Sequence, residues 1–164
     1  MIMKKLIVII SFILLNFSLA HAQDIKKNAL GIRFGGGNGA FTQISYQHRF
    51  DKSNRLQTDL GFSFSSEWSS WDLEALYHRV LPIKGNFNWF LGAGLVTGYW
   101  NQDYVDNYGG EGGMYLAGAV TLGAEYVFPD TPFQIAIDIT PQIGMVNYNG
   151  SVGGGFGFAF RYVF

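Results

Sequence analysis

The chain has 164 residues, 48% of them hydrophobic and 17% aromatic against 14% charged, with no cysteine and a formal net charge of −1 at pH 7. That length fits one domain, and the near-neutral charge offers no basic face to a nucleic acid. The missing cysteines exclude disulfides, thiol catalysis, thiolate metal sites and the lipidated cysteine of a bacterial lipoprotein.

The N-terminus reads as a secretory leader. Lys4 and Lys5 form a positive start, Leu6 to Leu15 an apolar run too short to span a membrane, and Ala20-His21-Ala22 a small-residue cleavage site before Gln23. Residues 1–22 are therefore expected to be removed, leaving one domain over 23–164 in which nine basic residues face twelve acidic ones. In that domain no apolar stretch approaches the ~20 residues of a spanning helix, although its aromatic content is foreign to a soluble protein. A membrane wall built of strands resolves the mismatch, because it alternates apolar and polar residues instead of running them together.

That alternation recurs along the chain. After a weaker segment from Ala29 to Gly35, the stretch Thr42 to Phe50 sets Thr42, Ile44, Tyr46, His48 and Phe50 against Gln43, Ser45, Gln47 and Arg49. Leu56 to Phe64 sets Leu56, Thr58, Leu60, Phe62 and Phe64 against Gln57, Asp59, Gly61 and Ser63. Trp71 to Leu81, Phe87 to Thr97 and Tyr115 to Phe128 are compatible, the last two with Gly and Ala inward, as a narrow interior requires. From Phe133, Ile135, Ile137, Ile139 and Ile143 oppose Gln134, Ala136, Asp138, Thr140 and Gln142, and the final segment opposes Phe156, Phe158, Phe160, Tyr162 and Phe164 to Gly155, Gly157, Ala159, Arg161 and Val163. The pattern predicts an all-β, antiparallel, up-and-down transmembrane barrel of eight strands, an even number as single-chain barrels have.

Residues 51–54, 82–86 and 129–132 are rich in turn formers and are expected as short periplasmic turns. The other connections, 36–40, 65–70, 98–114 and 147–152, would face outward, and only the third is long. Tyr77, Trp89, Tyr126, Phe128 and Tyr162 on one side, with Trp68, Trp71, Trp100 and Tyr115 on the other, are expected at the two headgroup boundaries. Pro141 lacks the N–H of a ladder residue and is expected near the outer rim or at a bulge.

The leader, the eight alternating segments and the ending Phe158-Ala159-Phe160-Arg161-Tyr162-Val163-Phe164 resemble small outer-membrane barrels of the OmpA and OmpX type over nearly the whole mature chain. The resemblance implies insertion into a bacterial outer membrane, with Phe160, Tyr162 and Phe164 as the signal read by the barrel-assembly machinery. It implies no fixed activity, and the expected chain carries no peptidoglycan-binding domain after the barrel.

The inward face should hold Arg33, Arg49, Asp59, Asp72, Glu74, His78, Glu125, Asp138 and Arg161. Either these form an ion path, or they pair and fill the lumen, which is the favoured reading because eight strands leave an interior about wide enough for their own side chains. The glycine run from Gly35 to Gly39 is read as a hairpin, since a phosphate cradle needs a following helix and a strand follows here. In the longest loop Trp100, Asp103, Tyr104, Asp106, Tyr108 and Glu111 form a candidate contact surface for an extracellular partner, and the spacing of its acids matches no calcium loop. No metal or cofactor is expected.

An acyl-transferring barrel enzyme would need a serine beside a histidine at one rim. Ser65, Ser66, Ser69 and Ser70 cluster beside Glu67 at the outer rim, whereas His48 and His78 fall toward the other end. The expected function is therefore non-enzymatic, a structural or surface-interaction role in contact with outer-membrane lipid and lipopolysaccharide. The rival is a small porin or solute conduit. A soluble β-sandwich is disfavoured, because it would have to bury apolar rows that occur on nearly every strand.

Overall fold

The computed structural model describes residues 26–36, 41–64, 69–100, 113–147 and 152–164. Eight strands follow one another: β1 (Asn28–Gly36), β2 (Phe41–Arg49), β3 (Asn54–Phe64), β4 (Ser69–Lys84), β5 (Phe87–Trp100), β6 (Gly113–Val127), β7 (Phe133–Val146) and β8 (Val152–Val163). Each pairs antiparallel with its neighbour, and β8 pairs back with β1 to close the barrel. Closure matters energetically because it leaves no edge strand with unpaired backbone groups. At the seam the Phe164 N–H donates to the Asn28 carbonyl at 2.8 Å, and the Asn28 N–H returns a bond to Phe164 at 2.9 Å.

The two-residue period sorts the side chains as expected. Ile44, Ile137, Ile139, Phe156, Phe158 and Phe160 point outward and are exposed, Ile137 by 60%. Arg33, Asp59, Glu74, His78, Glu125, Asp138 and Arg161 point inward and are buried. A soluble protein does the reverse. An apolar outside around a polar inside is stable only where hydrocarbon surrounds the wall.

The strands run longer than the alternation alone outlined. Residues 82–84, expected within a turn, instead extend β4, with a register shift between Pro82 and Lys84. The β4–β5 turn is left with Gly85 and Asn86, and Gly85 adopts φ 58°, which glycine takes without steric cost. The β2–β3 turn is held by the exposed Asp51, whose carboxylate accepts from the Ser53 N–H at 2.7 Å and from the Asn54 N–H at 2.9 Å and side chain at 2.7 Å. Those bonds, the Asn54 side-chain bond first among them, hold the Asp51 carboxyl below its ordinary value. With the β6–β7 connection these turns share one end of the barrel with both strand termini. That end is called the turn end, and the other the loop end.

Pro141 lies on the exposed face of β7, where the β6–β7 ladder skips from the Leu122–Ile139 pair to Ala119–Gln142. On its other side it pairs with Gly154, which has φ 92°. A β-carbon there would strike the Thr140 carbonyl oxygen, and the backbone angle is strained for any other residue. Gly154→Ala is therefore expected to lower the free energy of unfolding by about 1–2 kcal/mol, read as a reduced urea midpoint for the barrel in lipid vesicles.

Long inward side chains are accommodated by glycine on the facing strand. Gly61 pairs with Asp72, Gly92 with His78, Gly123 with Phe90 and Gly98 with Tyr115, and in each case a β-carbon on the glycine would run into that partner's side chain. These four glycines thus make steric sense as room for the lumen filling. Tyr115 departs from expectation here. It is buried inside the barrel with Leu76, Val96, Ala117 and Ala119, not set at the lipid boundary. Its parity along β6 matches those small inward residues, and parity prevails over the preference of aromatics for headgroups.

Candidate functional site

Among the described residues, charged side chains from strands far apart in sequence converge in the lumen, and its filling is asymmetric. Strands β4, β5 and β6 contribute the apolar cluster of Leu76, Val96, Tyr115, Ala117 and Ala119 toward the loop end. The polar side chains come chiefly from β1–β4, β7 and β8, and they form two cross-lumen assemblies.

The first spans from β1 to β7. The Arg33 guanidinium donates through Nε and Nη2 to Asp138, at 3.1 and 2.5 Å, in a two-pronged geometry. Its Nη1 donates to the Gln43 side-chain oxygen at 2.6 Å, and Gln43 donates in turn to Asp72 at 2.7 Å. Thr140 donates to Asp138 at 3.0 Å, and the Arg33 guanidinium lies over the Phe41 ring at 4.9 Å. Both charges are 3% exposed, so a fork matched to a carboxylate is the geometry that keeps them tolerable.

The second lies nearer the turn end and reaches from β3 to β6. Arg55 Nη1 donates to Glu125, which also accepts from Gln134 at 2.5 Å and from Asn88 at 3.2 Å. Arg55 Nε donates to His78 Nδ1 at 3.3 Å, so His78 carries its proton on Nε2, and its ring stacks on Phe90 at 4.9 Å. Between the two assemblies Arg161 donates to Ser45 at 2.9 Å and to Gln57 at 3.2 Å. Gln57 receives a further bond from Gln47 at 2.7 Å and donates to Asp59 at 2.6 Å.

The expected inward charges are thus placed as follows. Arg33 and Asp138 pair with each other, Glu125 pairs with Arg55, and Asp59 and Arg161 both bond Gln57. Asp72 is partly buried toward the loop end on Gln43, and Glu74 is buried beside Asp59 in the strand register. Arg49 stands at the turn-end mouth, with Nη2 3.9 Å from Glu125. The strand alternation put Gln43, Gln57 and Gln134 on the inward face without marking them as partners of the charges, and it missed Arg55, which anchors the second assembly. Counting back by two from Asp59 and Gln57 would have reached Arg55.

Of the assembly-signal residues, Phe160 and Tyr162 face outward, Phe160 stacking on Phe133 at 5.1 Å, and Phe164 is bound into the seam. Trp100 ends β5, and its side chain, like Asp103, Tyr104, Asp106, Tyr108 and Glu111, lies outside the described residues. So do Ser65, Ser66 and Glu67. Ser69 and Ser70 open β4 at the loop end, far along the strand from His78, while His48 meets the Asn28 side-chain oxygen at 2.9 Å near the turn end.

No protein-family profile and no curated protein matches the sequence. Solved structures do match the fold. The N-terminal β-barrel domain of Pseudomonas aeruginosa OprF superposes with a TM-score of 0.64 at 14% identity, over 85% of this chain and 100% of that domain. Neisserial surface protein A gives 0.55 at 15% identity over 84% of this chain and 95% of its own. A de novo designed transmembrane β-barrel gives 0.52 at 14% identity over 87% and 98%. That a designed barrel shares the architecture shows how little the fold by itself says of activity. The closed, apolar-walled architecture of this chain is that of the small eight-stranded outer-membrane barrels.

Proposed function

We propose that the chain is exported by the leader at residues 1–22, inserted into a bacterial outer membrane with its turn end in the periplasm, and acts there as a closed, non-enzymatic barrel with a structural or surface-interaction role. The observation that carries this reading is the lumen itself, crossed by Arg33–Asp138 and Arg55–Glu125. Fixed charges bonded across so narrow a bore fill the path that a solute would follow. Lipid and lipopolysaccharide would contact the outward Ile and Phe rows, the assembly machinery would read the strand ending at Phe164, and the loop from Tyr99 to Glu111 would meet any extracellular ligand.

A small conduit is the second reading. In its favour, Asp59 Oδ1, Glu74 Oε1 and His78 Nε2 are buried without a hydrogen-bond partner among the described residues, a demand that threaded water would satisfy. Single-channel recording in planar bilayers separates the two, with heat-modifiable gel migration as proof of folding. The closed barrel is expected to stay silent. Stable, reproducible conductance steps would overturn it in favour of the conduit.

A further inference from the structure

At the turn end a cavity of about 230 Å³ opens into the barrel, and its walls include Lys26, Lys27, Arg49 and Arg55 together with Gln47 and Gln134. No carboxylate is among the described residues that line it. Lys26 and Lys27 are exposed above the mouth, and the strand ladder anchors them there: the Arg49 N–H donates to the Lys27 carbonyl at 2.7 Å. Four cations therefore converge on one small volume.

The acid nearest them does not neutralise the group. Glu125 lies behind Arg55, already accepts from Arg55, Gln134 and Asn88, and reaches Arg49 only at 3.9 Å. Arg55 lines the cavity, is 1% exposed, and its Nη2 has no hydrogen-bond partner among the described residues. A buried guanidinium nitrogen left without an acceptor is costly unless something binds there. Holding three further cations around it adds repulsion that a doubly charged oxyanion would relieve. Guanidinium forks match tetrahedral oxyanions, and ammonium groups add point charge above them.

We propose that this vestibule binds a phosphate group, with Arg49 as its inner donor, the Arg55 charge behind it and Lys26 and Lys27 closing over it. The volume of about 230 Å³ equals that of about eight waters at ~30 Å³ each, room for a phosphate bearing a small organic tail. The phosphate belongs either to a small soluble ester or to a lipid headgroup of the periplasmic leaflet.

The test uses the full-length chain, purified folded in a maltoside detergent and titrated with inorganic phosphate by calorimetry. Saturable one-to-one binding is expected. Arg49→Gln, which breaks only a long ion pair, should weaken it about ten-fold or more, and the double variant Lys52→Gln/Lys84→Gln, in the β2–β3 turn and at the end of β4, should leave it unchanged. Arg55→Gln would strand Glu125 and is expected to impair folding, so Arg49→Gln decides the question. A parallel arm compares nanodiscs with and without phosphatidylglycerol, following the Arg49 side-chain NMR signal. A shift in the phosphatidylglycerol discs alone, with no heat from inorganic phosphate, assigns the group to a lipid headgroup. Absence of binding in both arms, or equal loss in the Lys52/Lys84 variant, overturns the proposal.

Discussion

Glu125→Leu is expected to destabilise the folded barrel by about 3–5 kcal/mol, because it removes one partner of a buried ion pair and leaves the other in place. Glu125 is fully buried and accepts from Arg55, Gln134 and Asn88, with Arg49 close by. Without it, the Arg55 guanidinium faces Phe90 and His78, neither of which neutralises its charge. Replacing both partners, as in Arg55→Met/Glu125→Leu, should recover most of the loss, since two apolar side chains in the same space leave no stranded charge. Urea unfolding of the vesicle-inserted protein, followed by tryptophan fluorescence and heat-modifiable migration, gives all three values. A single-variant loss within about 1 kcal/mol of zero would mean that solvent reaches Arg55 freely. That result would count against the closed lumen as directly as a conductance step.

The outcome bears on what the sequence can disclose about such a protein. Parity along a strand is local, so Ile135, Ile137, Ile139 and their inward partners announce β7 without any knowledge of its neighbours, and the eight strands follow from the same rule. Strand ends are less legible. Arg55 follows the turn formers from Asp51 to Asn54 and looks like part of that turn, although it shares the parity of Gln57 and Asp59. Tyr115 was open to two rules that disagree, and the parity rule prevailed because every residue of a closed wall must face one side or the other. The partners across the lumen are illegible for a deeper reason. Arg33 and Asp138 are 105 residues apart, and their meeting depends on the stagger with which eight strands close, a property of the whole barrel. The neutral amides show the same limit: Gln43, Gln57 and Gln134 carry no charge to attract notice, yet Gln43 links Arg33 to Asp72, Gln57 links Arg161 to Asp59, and Gln134 donates to Glu125.

Ile44→Arg, on the outer wall, should cost about 2–4 kcal/mol in a bilayer, the expense of an arginine facing hydrocarbon near the midplane. Ile44 lies near the middle of β2, is 55% exposed, and pairs with the outward Ile32 and Leu60 on its two flanks. Neither flanking partner carries a polar group to receive the charge. Phe50, equally exposed but just beyond the end of β2, is the internal control, because a guanidinium there reaches the headgroups and should cost about 0–1 kcal/mol. The contrast between the two sites is more telling than either value. A wall surrounded by water would welcome arginine at both positions, since each removes exposed apolar area. A wall in lipid penalises the charge according to depth. If Ile44→Arg and Phe50→Arg unfold at the same urea concentration as the parent, the barrel does not cross a membrane at the height of Ile44. If Ile44→Arg alone falls, the apolar girdle read from alternating residues is the surface that holds this protein in its bilayer.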